Sequence, residues 1–441
     1  QAAQAMDDAA ASFADVPVRA FPYYVRGAEA RLAAGDPAGA LARLTVAMRL
    51  LEQRRESIRI EPRRAAVFAA ARTVVDRIVM LQLADGRERG AAAGGTAPGP
   101  DHLAAPPGEV VVEYALVNDT LLAWTVSGTR VEVARTTVNA AQLERTLEET
   151  EAKLQRRAPV GELQPLLATL YDRLLRPLDG RLGAPGTRLV IVTDGAIAAV
   201  PFAALYDARR GRYLVEDRTL RYAVSLREAW RSPVADAGSG VLLVADPAFD
   251  RRRHPLLDRL PHALDEARGL AAGYRDARTL EGERATPQAL ATALPRAGIA
   301  HFAGHAVFDD EHPERSYLLL APGEASQGTM TAEELARMDL HRVRLVVLAA
   351  CRTVRSGRGR AAGFTGLSGA LLAAGAGGTV GSTWDVDDRL TSVLMAEFHR
   401  RYPDTHDAPG SLRDAQLSLL RSETPALRSP AAWAGFRYAG R

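Results

Sequence analysis

The strongest constraint on the fold comes from two short apolar runs, each of strand length and each ending at a reactive side chain. The first run lies within residues 298–306 and leads to His305 just after a glycine; the second lies within residues 344–352 and leads to Cys351, the single cysteine of the chain. The segment between them predicts a loop, a short strand and a helix, the content of a parallel crossover. Because chemistry in an open parallel sheet collects beyond the carboxyl ends of the strands, we expect the imidazole and the thiol at one sheet edge.

A thiol beside an imidazole has the composition of a nucleophilic dyad. The imidazole shifts the thiol toward the reactive thiolate and can then pass a proton to a leaving amine. Acyl transfer also needs backbone amides aimed at the oxyanion, and the amides of Ala306 and Cys351 are the candidates, with Gly304 giving the turn its freedom. The alternatives are an inert, buried cysteine and a loop histidine that is only hydrogen-bonded.

Other chemistries find weaker support in the sequence. His301 and His305 form a His-x-x-x-His pair, but no third ligand follows at a fixed spacing, so we expect no metal and assign His301 to packing inside the strand. The glycine- and arginine-rich residues 352–363 match neither dinucleotide nor P-loop spacing, so no cofactor is expected. Ser368 lies in a near match to the serine-hydrolase elbow, inside an apolar helix, where packing is the favoured role and a serine hydrolase stays an alternative.

A third strand-like run, residues 379–383, leads into the segment Trp384-Asp-Val-Asp-Asp388. Three carboxylates and an indole at the same sheet edge as the dyad predict the wall of a substrate pocket, formed by Trp384, Asp385, Asp387 and Asp388. An acidic pocket would select arginine or lysine before the scissile bond. Alternatively, any one of the carboxylates caps the helix predicted over residues 391–402.

Together with the stretch Leu189-Val-Ile-Val-Thr-Asp-Gly-Ala-Ile-Ala-Ala-Val-Pro-Phe-Ala-Ala-Leu205, these segments resemble the CHAT domain, a caspase-like (clan CD) cysteine peptidase module related to caspases and separase. The resemblance runs from about Val110 to Tyr402. It implies that His305 is the base and then the acid, that Cys351 is the nucleophile, and that the loop after Cys351 rearranges on activation. The similar segment of separase implies the same basic-residue preference. Ala349 and Ala350 depart from the pattern, because several clan members carry an acidic residue two positions before the nucleophile.

The organisation along the chain predicts an α/β protein preceded by an all-α segment. Residues 1–88 form a helical segment, in which Gly35-Asp-Pro-Ala-Gly-Ala-Leu41 resembles part of a tetratricopeptide repeat; an ordinary helical bundle is the alternative. Residues 89–108, rich in Gly, Ala and Pro, predict a linker. The resemblance then implies an inactive caspase-like half over 109–235 and a catalytic half over 236–441. Both contribute to one mostly parallel sheet flanked by helices.

The composition limits the number of domains, the classes of binding partner and the cellular compartment that the sequence predicts. A chain of 441 residues with 47% apolar content can bury the cores of two or three domains. A net charge of only +3, without an aromatic-interleaved basic stripe, gives no support for nucleic-acid binding. The sequence contains no run of eighteen apolar residues, so we expect no membrane span. A single cysteine is typical of a protein in a reducing cytoplasm. The Ala/Arg-rich usage indicates a high-GC bacterial genome. The start at Gln1, without Met or a signal-like profile, indicates a fragment of a longer protein.

The function predicted from these observations is that of a cysteine endopeptidase acting on a protein substrate. It would cleave after a basic residue and be gated by a regulatory protein bound to the N-terminal helices. The resemblance implies a setting in bacterial defence or programmed cell death. The alternative is a catalytically silent CHAT scaffold that serves as a protein-interaction module.

Overall fold

The computed structural model describes residues 2–13, 17–57, 78, 104–117, 119–193, 195–223, 229, 238–309, 311–324, 326–350, 353 and 366–441, without the side chains of 17–19 and 51–57. Outside these residues lie Cys351, the arginine-rich loop that follows it and most of the predicted linker. Residues 63–83, where the apolar spacing predicts a helix, also lie outside them apart from residue 78. The chain divides into two compact units, one of residues 1–105 with 124–134, the other of 106–123 with 135–441.

The strands of the described residues are β1 (Glu109–Val117), β2 (Thr120–Ser127), β3 (Arg130–Thr137), β4 (Arg188–Val192), β5 (Tyr206–Asp207), β6 (Arg212–Tyr213), β7 (Thr219–Ala223), β8 (Ser239–Pro247), β9 (Ala277–Gly282), β10 (Ala297–Ala303), β11 (Ala306–Val307), β12 (Tyr317–Leu319), β13 (Thr329–Thr331), β14 (Leu345–Ala349), β15 (Gly378–Ser382) and β16 (Phe436–Gly440).

The helices are α1 (Ala2–Ala11), α2 (Pro17–Ala33), α3 (Pro37–Ser57), α4 (Ala140–Gln155), α5 (Val160–Leu174), α6 (Leu214–Asp217), α7 (Pro261–Ala272), α8 (Pro287–Ala293), α9 (Ala332–Ala336), α10 (Gly366–Ala373), α11 (Asp388–Thr405), α12 (Ala408–Leu420), α13 (Pro425–Arg428) and α14 (Pro430–Trp433). Single 3₁₀ turns occupy short connections, among them Phe202–Ala204.

The central element is one mixed, mostly parallel sheet with the strand order β3-β2-β1-β4-β7-β16-β15-β14-β10-β8-β9. The pairs β1–β4, β4–β7, β15–β14, β14–β10, β10–β8 and β8–β9 are parallel, whereas β15–β16 is antiparallel. The predicted fold class, a mostly parallel α/β sheet flanked by helices after an all-α segment, is therefore confirmed.

The core of the second unit forms because β14 and, apart from His301, β10 are apolar on both faces, as expected for parallel strands covered on both sides. On one face Phe302 and Val346 pack with Leu290 of α8, Leu335 of α9 and Leu371 of α10. On the other face α7 and α11 cover the sheet and contact each other.

Helix starts in this unit follow the side chains that precede them. The hydroxyl of Thr286 accepts a hydrogen bond from the amide of Ala289 at the start of α8. The sequence Thr331-Ala-Glu-Glu334 predicts a capping box, and it forms at the start of α9, where each of the two side chains accepts a hydrogen bond from the other residue's backbone amide. Asp387 caps α11 by accepting from the amide of Leu390 at 3.0 Å.

The first unit contains a helical hairpin. Gly35, with φ 74°, and Pro37 turn α2 into α3, as the sequence predicts. Small residues let the helices approach, and the core of this unit consists of Ala28, Ala40, Leu44, Ala47, Met48 and Ile78.

A partly buried carboxylate connects α1 to this hairpin. Asp7 on α1 pairs with Arg31 of α2 at 2.6 Å and with Arg43 of α3 at 2.8 Å. No helix among the described residues is long and apolar enough to cross a membrane.

Two sequence predictions about elements are wrong. The sequence Pro201-Phe-Ala-Ala-Leu205 predicts the start of a helix, but only the 3₁₀ turn Phe202–Ala204 forms before the chain enters the hairpin of β5 and β6. The aromatic residues Trp433 and Phe436 predict a C-terminal segment packed on the sheet; Phe436 instead begins β16, a strand within it.

Candidate active site

The two strands expected to carry the dyad are neighbours. β10 and β14 pair in parallel from Ile299↔Leu345 to Ala303↔Ala349, which confirms the predicted crossover. His305 follows the last paired residue of β10 by two positions, and in the sequence Cys351 follows the last paired residue of β14 by two positions. The crossover between them contains β11, β12, β13 and α9.

A backbone carbonyl orients the ring of His305. Its Nε2 lies 2.7 Å from the carbonyl oxygen of Asp258, which can only accept, so Nε2 carries the proton and donates. The edge of the ring meets Phe249 with centroids 5.2 Å apart and planes at 88°. In the neutral imidazole Nδ1 is therefore the basic nitrogen, and two contacts fix its direction.

The loop that supplies this carbonyl is itself anchored at the end of the neighbouring strand. Asp246, buried near the end of β8 with φ 40°, pairs with Arg259 and accepts from its Nε at 3.0 Å. The carboxylate also lies 3.4 Å from the amide of Leu260. Both partners follow Asp258 directly, so the bend at Asp246 sets the position of the carbonyl that receives His305.

The structure gives Gly304 a steric role. A Cβ at Gly304 would lie 2.8 Å from the ring of Phe302 and 3.2 Å from Pro247, so a side chain here would force the Phe302 ring or Pro247 to shift. Ala306, a candidate oxyanion donor, lies in β11 opposite Leu318. Its role as a donor stays a prediction.

The residues that flank Cys351 are fixed from β15 and α10. The hydroxyl of Ser382, the last residue of β15, donates to the carbonyl of Ala350 at 2.6 Å. The amide of Ser382 donates to the Thr353 hydroxyl at 2.9 Å, and the amide of Ser368 in α10 donates to the Thr353 carbonyl at 3.2 Å. Cys351 itself lies outside the described residues.

The four predicted pocket residues have different surroundings. Trp384 is buried, only 2% exposed, and its Nε1 lies 3.4 Å from the carbonyl of Ala431. Asp387 caps α11 and also pairs with Arg157 at 3.0 Å, so the capping alternative holds for this carboxylate. Asp385 is exposed.

Asp388 faces a helix end. Its Oδ2 accepts from the amide of His262 in the first turn of α7 at 3.0 Å. Burial raises the pKa of this carboxyl, against the opposing effect of that hydrogen bond. Asp385 is thus the carboxylate of the segment with the greatest access to solvent, and the assignment of all four residues to a pocket stays a prediction.

Beneath the site, His301 belongs to a buried chain of polar side chains that sequence reasoning missed. Its Nδ1 lies 3.0 Å from His399 Nε2, and its Nε2 lies 2.6 Å from Glu266 Oε1. His399 Nδ1 lies 2.6 Å from the hydroxyl of Tyr274. Burial, and next the neighbouring His301, hold the pKa of His399 well below its usual value, so this imidazole is neutral.

A consistent set of donors runs along three of these side chains. Tyr274 can donate to His399, and His399 can donate from Nε2 to His301. His301 Nε2 and Glu266 Oε1 lie close together, but neither atom has a hydrogen-bond partner within the described residues. The expectation that His301 packs inside the strand agrees with its complete burial. Within the described ranges, no group of three or more His, Cys, Asp or Glu side chains could hold a metal ion.

Ser368 is fully buried in α10, and within the described part of the chain its hydroxyl has no hydrogen-bond partner. A nucleophilic serine needs both access and an adjacent base. This environment therefore favours the packing role over the serine-hydrolase alternative.

Sequence reasoning also missed the two residues that position the dyad's surroundings. Asp258 acts through its carbonyl, which no sequence pattern marks. Ser382 is the last residue of β15, and its place at the end of the strand next to β14 was the signal available for it.

Comparison with known proteins identifies the family. The CHAT domain family model matches residues 164–441. Tetratricopeptide repeat protein 28 of Mus musculus is 26% identical over 333 residues, 63% of this chain and 13% of that protein; its Homo sapiens counterpart is 26% identical over 328 residues, with the same coverage. The chain therefore spans about 13% of the length of these curated relatives.

Among solved structures, the chain is similar to a separase–securin complex of Saccharomyces cerevisiae, with TM-score 0.50 and 10% identity over 92% of this chain and 37% of the other. That likeness concerns the fold alone. The helical N-terminal region is consistent with relatives named for tetratricopeptide repeats. Since the family model covers well over half of the sequence, the chain belongs to the CHAT domain family.

Proposed function

We propose that this protein is a cysteine endopeptidase in which His305 and Cys351 form the catalytic dyad. The observation that supports the proposal most directly is the orientation of His305. Its Nε2–H is held by the Asp258 carbonyl, which leaves Nδ1 as the base at the end of the strand adjacent to β14. Equal offsets from the paired residues Ala303 and Ala349 favour a position of Cys351 beside it.

The reaction follows from these roles. His305 takes the thiol proton, and the thiolate of Cys351 attacks the scissile carbonyl carbon. The tetrahedral oxyanion collapses, the C–N bond breaks, and His305 protonates the leaving amine. Water, deprotonated by the same imidazole, then cleaves the thioester and releases the carboxylate and the free thiol. The amides of Cys351 and Ala306 are the proposed oxyanion donors.

For the substrate we propose a protein cleaved after arginine or lysine. Asp385 is the carboxylate of this segment with the greatest access to solvent, so we assign it the contact with a basic side chain of the substrate. A bidentate guanidinium–carboxylate contact would then select arginine most strongly.

We further propose that the helical segment binds a regulatory protein. Support comes from the helical hairpin of α2 and α3 and from relatives named for tetratricopeptide repeats. The division into a helical segment (1–88), linker (89–108), first half (109–235) and catalytic half (236–441), the bacterial origin and the cytoplasmic setting stay predictions.

The test is covalent labelling with a peptidyl-arginine acyloxymethyl ketone, with the aspartyl analogue in parallel and mass spectrometry to locate the adduct. We expect the arginyl probe to modify Cys351 and the His305→Ala variant to lose the reaction. Peptide cleavage should be lost in both Cys351→Ala and His305→Ala. Cleavage retained in either variant would overturn the dyad.

Two other outcomes have distinct meanings. Modification by the aspartyl probe alone would preserve the peptidase and overturn the basic preference. A phosphonate adduct on Ser368 would favour the serine-hydrolase alternative. Failure of the thiol to react with either probe, also in the presence of a bound protein partner, would favour the scaffold.

A further inference from the structure

The second unit contains a cavity of about 490 Å³ at the amino ends of its central parallel strands. Two residues that line it lie at strand starts, Arg188 at the first position of β4 and Leu345 at the first position of β14. β16 runs antiparallel to β15, so its carboxyl end brings Tyr438 and Arg441 to the same edge. His305 follows the carboxyl end of β10, at the opposite edge of the sheet, so the cavity is separate from the proposed dyad.

We propose that this cavity binds a small molecule that carries a diphosphate or longer phosphate chain. Three arginines line it, Arg188, Arg344 and Arg441, whereas Asp407 is the single carboxylate side chain among its described lining residues. Cavities of this size are typical of small-molecule sites, and the excess of guanidinium groups indicates an anion. The proposal does not depend on the peptidase activity.

Arg188 keeps a buried donor after its ion pairs are formed. Its Nη2 donates to Asp407 Oδ2 at 2.7 Å, and its Nη1 lies 3.8 Å from Glu109 Oε1. Its Nε is buried and has no hydrogen-bond partner within the described residues. Because a buried N–H without an acceptor is costly, a bound phosphate oxygen at this position would stabilise the side chain as well as the ligand.

Arg344 is half-buried, and within the described ranges no carboxylate lies at ion-pair distance from it. It lies close to the phenol of Tyr402. Burial raises the pKa of Tyr402 to about 12, and the nearby Arg344 opposes this rise. Burial also raises the pKa of Tyr438. Both phenols are consequently neutral at pH 7, so they can form hydrogen bonds in the cavity but cannot balance the charge of Arg344.

The start of α12 adds to the positive potential of the cavity. Ala408 and Pro409, the first two residues of this 13-residue helix, line the cavity. A helix start carries partial positive charge and unpaired amides, both of which favour a phosphate. Asp407 already accepts from the amide of Gly410 at 3.3 Å, so the helix start supports the site and the arginines determine its preference for an anion.

The spacing of the arginines favours a phosphate chain over a single small anion. β7, β16 and β15 lie between β4 and β14 in the sheet, so four strand spacings separate the strands next to Arg188 and Arg344. This separation is roughly 19 Å. A carboxylate can be bound by one guanidinium fork, whereas a chain of phosphates extends along the cavity and offers acceptors to several donors.

The test is isothermal titration of the full chain with pyrophosphate at physiological ionic strength, which screens non-specific attraction. We expect one pyrophosphate per chain, bound about tenfold or more tighter than orthophosphate or malonate, because the longer anion reaches more donors. Equal affinity for malonate or orthophosphate would overturn the assignment to a phosphate chain. Absence of binding by pyrophosphate, triphosphate and ADP would overturn the site.

Arg344→Met and Arg342→Met form a matched pair of variants. Arg344→Met removes a charge that lines the cavity and keeps an unbranched side chain, so it should weaken pyrophosphate binding about tenfold or more. Arg342 is exposed and is not among the lining residues, so Arg342→Met should bind within about twofold of wild type. Equal losses in both variants would assign binding to the general positive charge of the surface and overturn the proposal.

A variant expected to gain affinity distinguishes a lost site from a misfolded protein. Asp407→Asn removes the carboxylate that competes for Arg188, and asparagine still caps α12. We expect it to bind pyrophosphate about threefold or more tighter than wild type, since a repulsive charge is removed. Unchanged or weaker binding by Asp407→Asn would overturn the placement of the phosphate chain beside Arg188.

ADP distinguishes two sources of the phosphate chain. Binding of ADP tighter than pyrophosphate would support a nucleotide, with the base in contact with the cavity wall. Equal binding of the two would support a ligand recognised through its phosphates alone.

Discussion

Asp385 and Asp387, two residues apart in the sequence, show how position within one acidic segment decides what a carboxylate can do. Asp387 accepts a hydrogen bond from the amide of Leu390 and pairs with Arg157, so its charge stabilises the fold. Asp385 is exposed just after β15. A role in substrate recognition is therefore best tested by comparing these two positions.

We predict that Asp385→Asn lowers the second-order rate of labelling by the arginyl probe about tenfold, equivalent to roughly 1.4 kcal/mol. The loss arises because the amide keeps the shape of the side chain and removes the charge that attracts a guanidinium. Asp387→Asn is the matched control and should label within twofold of wild type. Equal losses in both variants would assign the effect to the electrostatics of the whole segment.

At this scale the sequence predicts the side chains that carry chemistry better than the groups that orient them. His305 could be placed because it follows an apolar run next to a second such run. The Asp258 carbonyl could not, since it reaches His305 across 47 residues through a backbone atom that every residue possesses. The burial of Trp384 was equally hidden, because it depends on α14, which lies far along the chain.

Among the elements, α11 depends on its cap for a defined start. The same helix carries His399, which contacts His301 of β10. Asp387 satisfies one of the amides that a helix start leaves without an intrahelical partner.

We predict that Asp387→Ala destabilises the protein by about 1 kcal/mol, whereas Asp387→Asn costs only a few tenths, because asparagine caps as well as aspartate. Thermal unfolding should show a lower midpoint for alanine than for asparagine. Both variants lose the charge that faces Arg157, so that ion pair cancels from the comparison. Equal midpoints would mean that the cap contributes nothing.

The buried polar side chains between α7, β10 and α11 make the stability of the protein depend on pH. The groups that face His399 are His301 and Tyr274, with Glu266 behind His301 and Asp388 at the start of α11. Burial holds the pKa of His399 well below its unfolded value of 6.5. Below pH 6.5 the unfolded chain therefore binds a proton that the folded protein excludes, and stability falls.

We predict a decrease in the unfolding midpoint between pH 7.5 and 5.5 that is smaller in His399→Gln than in wild type. The difference reflects up to about 1.4 kcal/mol per pH unit from one group. Glutamine can accept from Tyr274 and donate to His301, which preserves the contacts. Exposed His341 provides the control, since His341→Gln should keep the wild-type slope. An unchanged slope in His399→Gln would contradict the prediction.

The raised pKa of Asp388 changes the pH dependence of stability in the opposite direction to that of His399. Its folded form holds a proton more firmly than the unfolded chain, so its contribution to stability is lost as pH rises from 3.8 through the folded value. Since Asp388 is present in both wild type and His399→Gln, the comparison between them removes its effect.

Helices and strands could be predicted where the signal lies within a few neighbouring residues. The predictions failed where contacts between residues far apart in the sequence determine the structure. The capping box at Thr331 and the hairpin around Gly35 are encoded within a few residues, and both formed. Pro201-Phe-Ala-Ala-Leu205 has the composition of a helix start, but the chain continues into the pairing of Tyr206 with Tyr213. β16 was missed because its partners, β7 and β15, lie far from it in sequence.

At the scale of the whole molecule, β16 joins the two groups of strands in the sheet, pairing with β15 on one side and with β7 at Ala439↔Tyr222 on the other. Two buried arginines hold it. Arg437 donates to the carbonyl oxygens of Ala198 at 2.7 Å and Val200 at 2.6 Å. Arg221 of β7 donates to the carbonyl of Gly440 at 3.0 Å.

We predict that Arg437→Met destabilises the protein by about 2–4 kcal/mol, because the carbonyls after β4 lose their donor in a buried setting. Removing the buried charge offsets part of this cost, since burial already lowers the pKa of Arg437. The cation also lies over the ring of Tyr222, with 5.0 Å between its Cζ and the ring centroid, a contact that methionine cannot replace in kind.

The measurement is the thermal midpoint together with limited proteolysis of the bonds after residues 198–200. Arg401→Met, at a half-exposed surface arginine, should change stability by less than about 0.5 kcal/mol. A midpoint for Arg437→Met equal to that of wild type would show that those carbonyls find other donors. The expected result, early cleavage near residue 200 in Arg437→Met alone, would mean that the C-terminal strand stabilises the first half of the sheet from across the molecule.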